Sequence, residues 1–197
     1  MNLKKKLLFL ILASSIYGCT NQLNYDSLYY CEKYNYSCEK DRRIVVFLTT
    51  KGPIKVELYG DKNPLTVSNF IKNINEKLYN NKSFYKIINF PSSKVVHSGI
   101  FAPTQSVGMK KLNSKNHNLI PLEVKLKNEQ EPRYKTQIKD PKEIENLSLV
   151  FEKGSLAMVK ARKNYASSTE FFFTISNFYE LDGRYSLFGK VIQGLDV

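Results

Sequence analysis

Apolar and polar positions alternate in two short stretches near residue 50. Residues 44–50 and 54–59 are rich in β-branched and aromatic side chains, and the break between them contains Gly52 and Pro53. A Gly-Pro break between two such runs is typical of a turn that joins paired strands. These stretches therefore predict an antiparallel β-hairpin.

An amphipathic helix is predicted directly after the hairpin. Asn63 stands before Pro64, and these residue types are favoured at the N-cap and at the first helical position. The apolar positions that follow are three and four residues apart, which places them on one buried face. They are Val67, Phe70, Ile71, Ile74 and Leu78.

The rest of the chain predicts short strands around one long irregular stretch. Strand-like runs occur at residues 83–88, 94–97, 155–160, 170–175 and 186–192. Residues 101–147 are polar, contain four prolines and show little periodicity, and long irregular stretches of this kind often surround a binding site. Many short strands with one or two helices predict a mostly β domain with a closed sheet.

The first residues of the chain are typical of an export signal. Three lysines at residues 4–6 precede an apolar run over 7–13, which is shorter than the about 20 residues that a membrane-spanning helix needs. A secretory leader over residues 1–18 is therefore favoured over a membrane span. Residues 16–19 (IYGC) resemble a bacterial lipobox, which implies that Cys19 becomes lipid-modified, and an ordinary signal peptide is the alternative.

Export also affects the interpretation of the other two cysteines. Cys31 and Cys38 lie close together in a tyrosine-rich polar segment, and an oxidising compartment permits a local disulfide between them. Metal binding is the alternative, but this segment lacks the further His or Cys ligands that it needs. Residues 19–42 are therefore predicted to be a lipid-anchored tether, and residues 43–197 the folded domain.

Composition fits one globular domain and narrows the choice of partners. The chain is 42% hydrophobic and 13% aromatic, with a net charge of +12. Such a charge favours anionic lipids, acidic polymers or nucleic acid. Lysine is spread along the whole chain instead of forming an arginine-rich stripe, so no nucleic-acid partner is expected. With only His97 and His117, the sequence contains no metal-ligand spacing, phosphate-binding glycine loop or nucleophile elbow.

The order of motifs from residue 44 to the end resembles one family, the cyclophilins. Any single motif is weak, but the set follows the family's order and spacing. The segments are TKGPI at 50–54, PLTVSNF at 64–70, SFYKII at 83–88, VVHSG at 95–99, GSLAM at 154–158, STEFFF at 168–173 and LFGKV at 187–191.

The resemblance implies a mostly β fold, an eight-stranded antiparallel barrel capped by two helices. It also implies a groove on the outer face of the barrel, peptidyl-prolyl cis-trans isomerase activity, and no metal or cofactor. Family members usually continue beyond the segment that matches residues 194–197 with a last strand beside the first one. The resemblance therefore does not determine whether a final strand closes the barrel in this chain.

The resemblance also implies which residues form the groove. Lys86 matches the arginine that donates a hydrogen bond to the prolyl nitrogen, while Phe172 and Leu181 match the floor and wall of the proline pocket. The alternative for Lys86 is an exposed strand residue, and the alternative for Phe172 and Leu181 is ordinary barrel core. The other predicted substrate-binding residues are Val95, His97, Glu170 and Tyr185.

Several positions of the groove depart from the family. His97 and Glu170 replace glutamines, Glu180 stands where an aromatic or apolar residue is common, and Tyr185 lies near a histidine position. Since lysine lacks the planar fork of arginine, we expect weakened catalysis. A hydrogen-bond network of Glu170 and His97 with Lys86 could hold the lysine away from substrate.

These observations lead to one leading hypothesis and two alternatives. The leading hypothesis is a monomeric, lipid-anchored isomerase of the bacterial cell envelope, periplasmic or facing the outer membrane, which binds proline-containing segments of exported proteins. The first alternative is a non-catalytic proline-peptide-binding or chaperone module on the same fold. The second is a basic surface protein that binds anionic polymers.

Overall fold

Antiparallel strands dominate the fold. The computed structural model describes residues 26–100 and 119–197. Its elements are α1 (Ser27–Lys33), β1 (Arg42–Thr49), β2 (Gly52–Tyr59), α2 (Pro64–Asn75), β3 (Lys86–Asn89), β4 (Lys94–Gly99), β5 (Ile120–Pro121), β6 (Glu123–Val124), β7 (Arg133–Tyr134), α3 (Pro141–Glu145), β8 (Ser155–Arg162), β9 (Tyr165–Thr174) and β10 (Leu187–Gln193).

Eight strands form one sheet. Its path is β1–β2–β10–β8–β9–β4–β3, with β5 attached to β9, and every pair is antiparallel. The predicted mostly β, eight-stranded antiparallel fold is confirmed, as is the predicted hairpin of β1 and β2. The short elements β5, β6, β7 and α3 interrupt the stretch that was predicted to be irregular.

Two apolar clusters lie on opposite faces of the sheet because side chains alternate along a strand. Phe171 and Phe173 of β9 join the larger cluster, where Phe70 of α2 lies 5.4 Å from the Phe171 ring and 5.0 Å from the Phe188 ring. Phe172 belongs to the second cluster on the other face. Burial of each phenylalanine contributes about 1.5–3 kcal/mol, so the larger cluster anchors the sheet.

The predicted helix is confirmed as α2, although it ends at Asn75 and not at Leu78. Asn63 occupies the N-cap position, but its side chain makes no capping bond and donates instead to the carbonyl of Glu123. The buried Glu123 carboxylate caps the helix, since it accepts from the backbone amides of Leu65 and Thr66 at 3.1 and 2.8 Å. A residue distant in sequence thus stabilises the positive end of the helix.

The stretch that was predicted to be a tether is partly folded onto the domain. A disulfide joins Cys31 to Cys38, and α1 buries Tyr30 and Cys31 against Leu65 of α2. Part of the stretch predicted to be a lipid-anchored tether thus packs on the domain, since Tyr30 and Cys31 are buried while Leu28 is 53% exposed.

The predicted leader, residues 1–18, and the predicted lipidation site at Cys19 lie outside the described residues. Within residues 26–100 and 119–197, no helix combines the length and the apolar character that a bilayer span requires.

An apolar cavity of about 290 Å³ adjoins the larger apolar cluster of the sheet. Its lining includes Ile54, Phe84, Val96 and Phe173. In the described part of the chain no further strand pairs with the outer edge of β1 or β3. The outer edges of β1 and β3 are therefore unpaired within these residues, and Leu48 of β1 is 87% exposed.

Candidate active site

A row of paired residues crosses four neighbouring strand pairs on the face of the sheet that carries Phe172. The register pairs Lys86 with His97, His97 with Phe172, Phe172 with Ala157, and Ala157 with Leu187. Directly opposite residues of antiparallel strands project to the same face. Antiparallel pairing therefore brings together Lys86, His97 and Phe172, which are far apart in sequence.

Aromatic rings surround Phe172 at the centre of this row. The His97 ring stacks at 5.6 Å with an interplanar angle of 22°, and the Phe151 ring lies 6.1 Å away and almost parallel. Tyr185 meets Phe172 edge-on at 5.5 Å. Only 3% of Phe172 is exposed. A prolyl ring could contact the Phe172 ring only after the side chain of His97 or Tyr185 had moved.

The other predicted apolar residues border the same cluster. Val95 is buried in it, and Leu181 and Tyr185 pack against it. Leu181 comes from a 3₁₀ turn at Tyr179–Leu181. The next residue, Asp182, fixes this turn beside Phe151 because its Oδ1 accepts from the Phe151 amide at 2.7 Å.

Electrostatics couple Lys86 to His97. Lys86 is exposed at the start of β3, while His97 is half-buried opposite it. Burial lowers the pKa of His97 below the ordinary imidazole value, and the positive charge of Lys86 lowers it further. His97 is therefore neutral near pH 7, and Lys86 supplies the positive charge at this end of the row.

Glu170 has a different hydrogen-bond partner from the one hypothesised. Its Oε1 accepts from the hydroxyl of Tyr85, and burial of that hydroxyl, together with this bond, raises the pKa of Tyr85. Among residues 26–100 and 119–197, no ion pair links Lys86 to Glu170. Glu170 thus has Tyr85 as a hydrogen-bond partner, and the network of Glu170 and His97 with Lys86 stays a prediction.

Gly99 permits the approach of β4 to β9 beside Glu170. It pairs with Glu170, and its φ of +99° is one that residues with a side chain rarely adopt. A Cβ at this position would lie 2.2 Å from the carbonyl oxygen of Thr169. Glycine is thus required for the strand pairing that fixes Glu170 next to the row.

Sequence reasoning missed two aromatic residues of the site. Phe151 lies parallel to Phe172, and Phe178 is buried in the same cluster, 4.9 Å from the ring of Phe90. Phe90, which has an exposed ring, thus reaches the rim of the site. No periodic pattern surrounds Phe151 or Phe178, so only their proximity in sequence to the motif at 154–158 and to Leu181 could have indicated a role.

In the described part of the chain, no three His, Cys, Asp or Glu side chains gather where they could hold a metal ion. His117 lies outside the described residues.

Comparison with known proteins defines the class. Residues 44–197 match the family model described as cyclophilin type peptidyl-prolyl cis-trans isomerase/CLD. The chain therefore belongs to the cyclophilin-type peptidyl-prolyl cis-trans isomerase family, as its motifs and its antiparallel sheet indicate.

Two relatives illustrate the range of similarity. A protein of Synechocystis sp., named as a thylakoid lumen peptidyl-prolyl cis-trans isomerase, is 31% identical over 79% of this chain and 42% of its own length. The chain thus spans less than half of that relative. Peptidyl-prolyl cis-trans isomerase B of Escherichia coli is 28% identical over 78% of this chain and 80% of its own length.

Solved structures agree on the fold. A cyclophilin-type isomerase from Cryptosporidium parvum has a TM-score of 0.53 at 22% identity, with 79% of this chain and 81% of the other covered. Cyclophilin AquaCyp293 from Hirschia baltica has a TM-score of 0.52 at 18% identity, with coverage of 87% and 72%.

Proposed function

We propose that the domain isomerises X-Pro peptide bonds in segments of exported proteins, and that it does so more slowly than a family member with arginine at the position of Lys86. The observation that carries the proposal is the cross-strand row, which pairs Lys86 with His97 and His97 with Phe172. A cationic donor and an apolar surface therefore share one face of the sheet.

The chemistry of the reaction requires these two features and no covalent step. Rotation about an X-Pro bond must cross a barrier of about 20 kcal/mol that arises from amide resonance. A donor that faces the prolyl nitrogen stabilises the twisted state, in which that nitrogen gains lone-pair character. The exposed ammonium of Lys86 supplies the donor, and the side chains around Phe172 hold the prolyl ring.

Two features support a reduced rate. Lysine is a point charge that donates without the fixed planar geometry of a guanidinium, so it positions the amide less firmly. Phe172 is also almost fully covered, and its neighbours His97 and Tyr185 must yield before a proline ring reaches it. Part of the binding free energy is therefore consumed in opening the site.

The relatives support the proposed substrate class. The Cryptosporidium parvum isomerase was also crystallised in the presence of the dipeptide Ala-Pro, and that structure has a TM-score of 0.52 with this chain. We propose proline-containing segments as the partners of this chain and a monomer as its working form.

The proposed location is the bacterial cell envelope, outside the cytoplasm, on a lipid anchor at Cys19. The leader pattern of residues 1–18 supports export, and a disulfide between Cys31 and Cys38 fits an oxidising compartment. Metabolic labelling with palmitate tests the anchor. Label should enter the wild-type chain and be absent from Cys19→Ala, and equal labelling of the two would refute it.

Exchange spectroscopy by NMR tests the isomerase directly. The folded chain should increase the cis-trans exchange rate of an Ala-Pro peptide, and Lys86→Met should reduce this increase. Lys94→Met is the matched control. Lys94 is also exposed, but it lies three residues before His97 on β4 and therefore on the other face of the sheet. If Lys94→Met also reduces the increase in exchange rate, Lys86 has no specific role.

The same experiment tests the alternative of a non-catalytic peptide-binding module. The covered Phe172 ring and the carboxylates of Glu170 and Glu180 favour that alternative, since these features change the groove without removing its apolar surface. Chemical-shift changes on peptide addition, without faster exchange, would establish binding alone.

A further inference from the structure

A second group of side chains lies behind one wall of the Phe172 cluster. Tyr185 meets Phe172 edge-on at 5.5 Å, and the ammonium of Lys160 lies 5.7 Å from the centre of the Tyr185 ring. Tyr185 thus lies next to both the Phe172 ring and the Lys160 ammonium. A cation over an aromatic face is attracted to the electrons of the ring.

Lys160 has two further cations as neighbours. Arg184 lines the same surface depression as Lys160 and Tyr185. Burial lowers the pKa of Lys160, and the positive charges of Arg184 and Lys139 lower it further. Two cations, Lys160 and Arg184, therefore share a small surface on which their mutual repulsion is unfavourable.

No carboxylate compensates this charge among residues 26–100 and 119–197. The ion pairs within 4.0 Å in these ranges do not include Lys139, Lys160 or Arg184. The acidic residues beside them in sequence have other partners. Asp140 accepts from the first amides of α3, and Asp182 accepts from the Phe151 amide.

The strand geometry directs Lys160 to this position. The pairing of β8 with β9 shifts register between Met158 and Lys160, and again between Lys160 and Arg162. Such irregularities change the direction of a side chain and are over-represented next to binding sites. Neither the repulsion nor the broken register contributes to stability, so the arrangement points to a ligand of opposite charge.

We propose that Lys160 and Arg184 form a subsite for a carboxylate side chain of the bound segment, an aspartate or glutamate close to the isomerised proline. This inference rests on the proposed function, because the subsite adjoins the proline site only through Tyr185. The cations attract the carboxylate, while the prolyl ring binds at the Phe172 cluster, against which Tyr185 packs. The domain thus prefers acidic proline-containing segments.

Paired peptides test the subsite. Each pair carries glutamate or glutamine at one of the positions flanking an Ala-Pro unit, and both dissociation constants and exchange rates are followed by NMR. At the favoured position, the wild-type chain should bind the glutamate peptide about three- to tenfold more tightly, a preference that decreases with added salt. In the double variant Lys160→Met/Arg184→Gln this ratio should fall to about one.

Controls separate this subsite from general charge attraction and from the proposed function itself. Lys55→Met removes one positive charge on β2 and should keep the glutamate preference. Equal binding of both peptides by the wild-type chain, with exchange still accelerated, would overturn the subsite alone. Equally tight binding of a glutamate peptide with alanine in place of proline would also overturn it, since the surface would then be a general anion site. Absence of any peptide binding would overturn both the subsite and the proposed function.

Discussion

Lys86 and His97 are directly opposite each other on β3 and β4, and the positive charge of the lysine contributes to the depressed pKa of the histidine. His97 in turn stacks on Phe172. The imidazole is therefore the physical link between the cation and the aromatic floor. Its protonation would place a second positive charge beside Lys86 and would oppose the binding of an apolar proline ring.

The titration of His97 tests this coupling. An NMR titration should give a midpoint below the usual value of about 6.5, and Lys86→Met should raise the midpoint only partly, because burial is the larger cause. Lys94→Met should leave it unchanged. A midpoint that is insensitive to Lys86→Met would contradict the coupling.

The depressed pKa also predicts a pH dependence of stability. The imidazole takes up its proton at a higher pH in the unfolded chain than in the folded chain. A fall in pH therefore favours unfolding. The contribution of His97 is therefore present above pH about 6.5 and is lost as pH falls through the folded-state pKa. Chemical unfolding of wild type and His97→Gln over this range measures it, and parallel pH profiles for the two proteins would exclude it.

Glu123 is predicted to be important for stability but not for chemistry. Its carboxylate accepts from two amides of α2, from the Thr66 hydroxyl and from the Tyr134 hydroxyl. Glutamine would replace one carboxylate oxygen by an NH2 group, which cannot accept a hydrogen bond from the donors on that side. We expect Glu123→Gln to lower the free energy of unfolding by about 2 kcal/mol.

Urea unfolding at pH 7 measures this loss. Glu76→Gln is the matched control, because Glu76 lies at the other end of α2 in an exposed pair with Lys72 and should change stability by less than about 0.5 kcal/mol. Equal midpoints for the two variants would show that the buried cap is not needed.

The disulfide between Cys31 and Cys38 is predicted to stabilise the domain without affecting its activity. It closes a short loop that begins within α1, and loops of this size give about 2 kcal/mol in the chain-entropy model. The cluster around α1 contains Leu65 and Tyr134 but no residue of the Phe172 cluster. Cys31→Ser/Cys38→Ser should therefore unfold at lower denaturant concentration and retain the wild-type exchange rate. A large fall in the rate of the folded variant would connect α1 to the groove.

Strand periodicity and the resemblance to the cyclophilins together indicated Lys86, His97 and Phe172 as candidate site residues, although they did not predict the row in which these residues pair. Alternation along β9 distinguishes Phe172 from Phe171 and Phe173, and the motif order places Lys86 and His97 on adjacent strands. These features follow from local sequence, since register and face are set by a two-residue period.

Contacts between distant residues could not be predicted in this way. The cap of α2 comes from Glu123, and the partner of Glu170 is Tyr85, 85 positions away. Either contact depends on loop paths that leave no periodic pattern in the sequence. The burial of Cys31 against α2 likewise follows from packing, because the polar composition of its segment indicated an exposed tether.

The proposed function depends on a hydrogen bond that Lys86 donates to the prolyl nitrogen beside the Phe172 cluster. Its most direct test is the cis-trans exchange rate of an Ala-Pro peptide with wild type, Lys86→Arg and Lys86→Met at equal concentrations of folded protein. The rate should rise severalfold with arginine, which fixes the donor geometry, and should fall about 10- to 100-fold with methionine. Equal rates for wild type and Lys86→Met would contradict the claim.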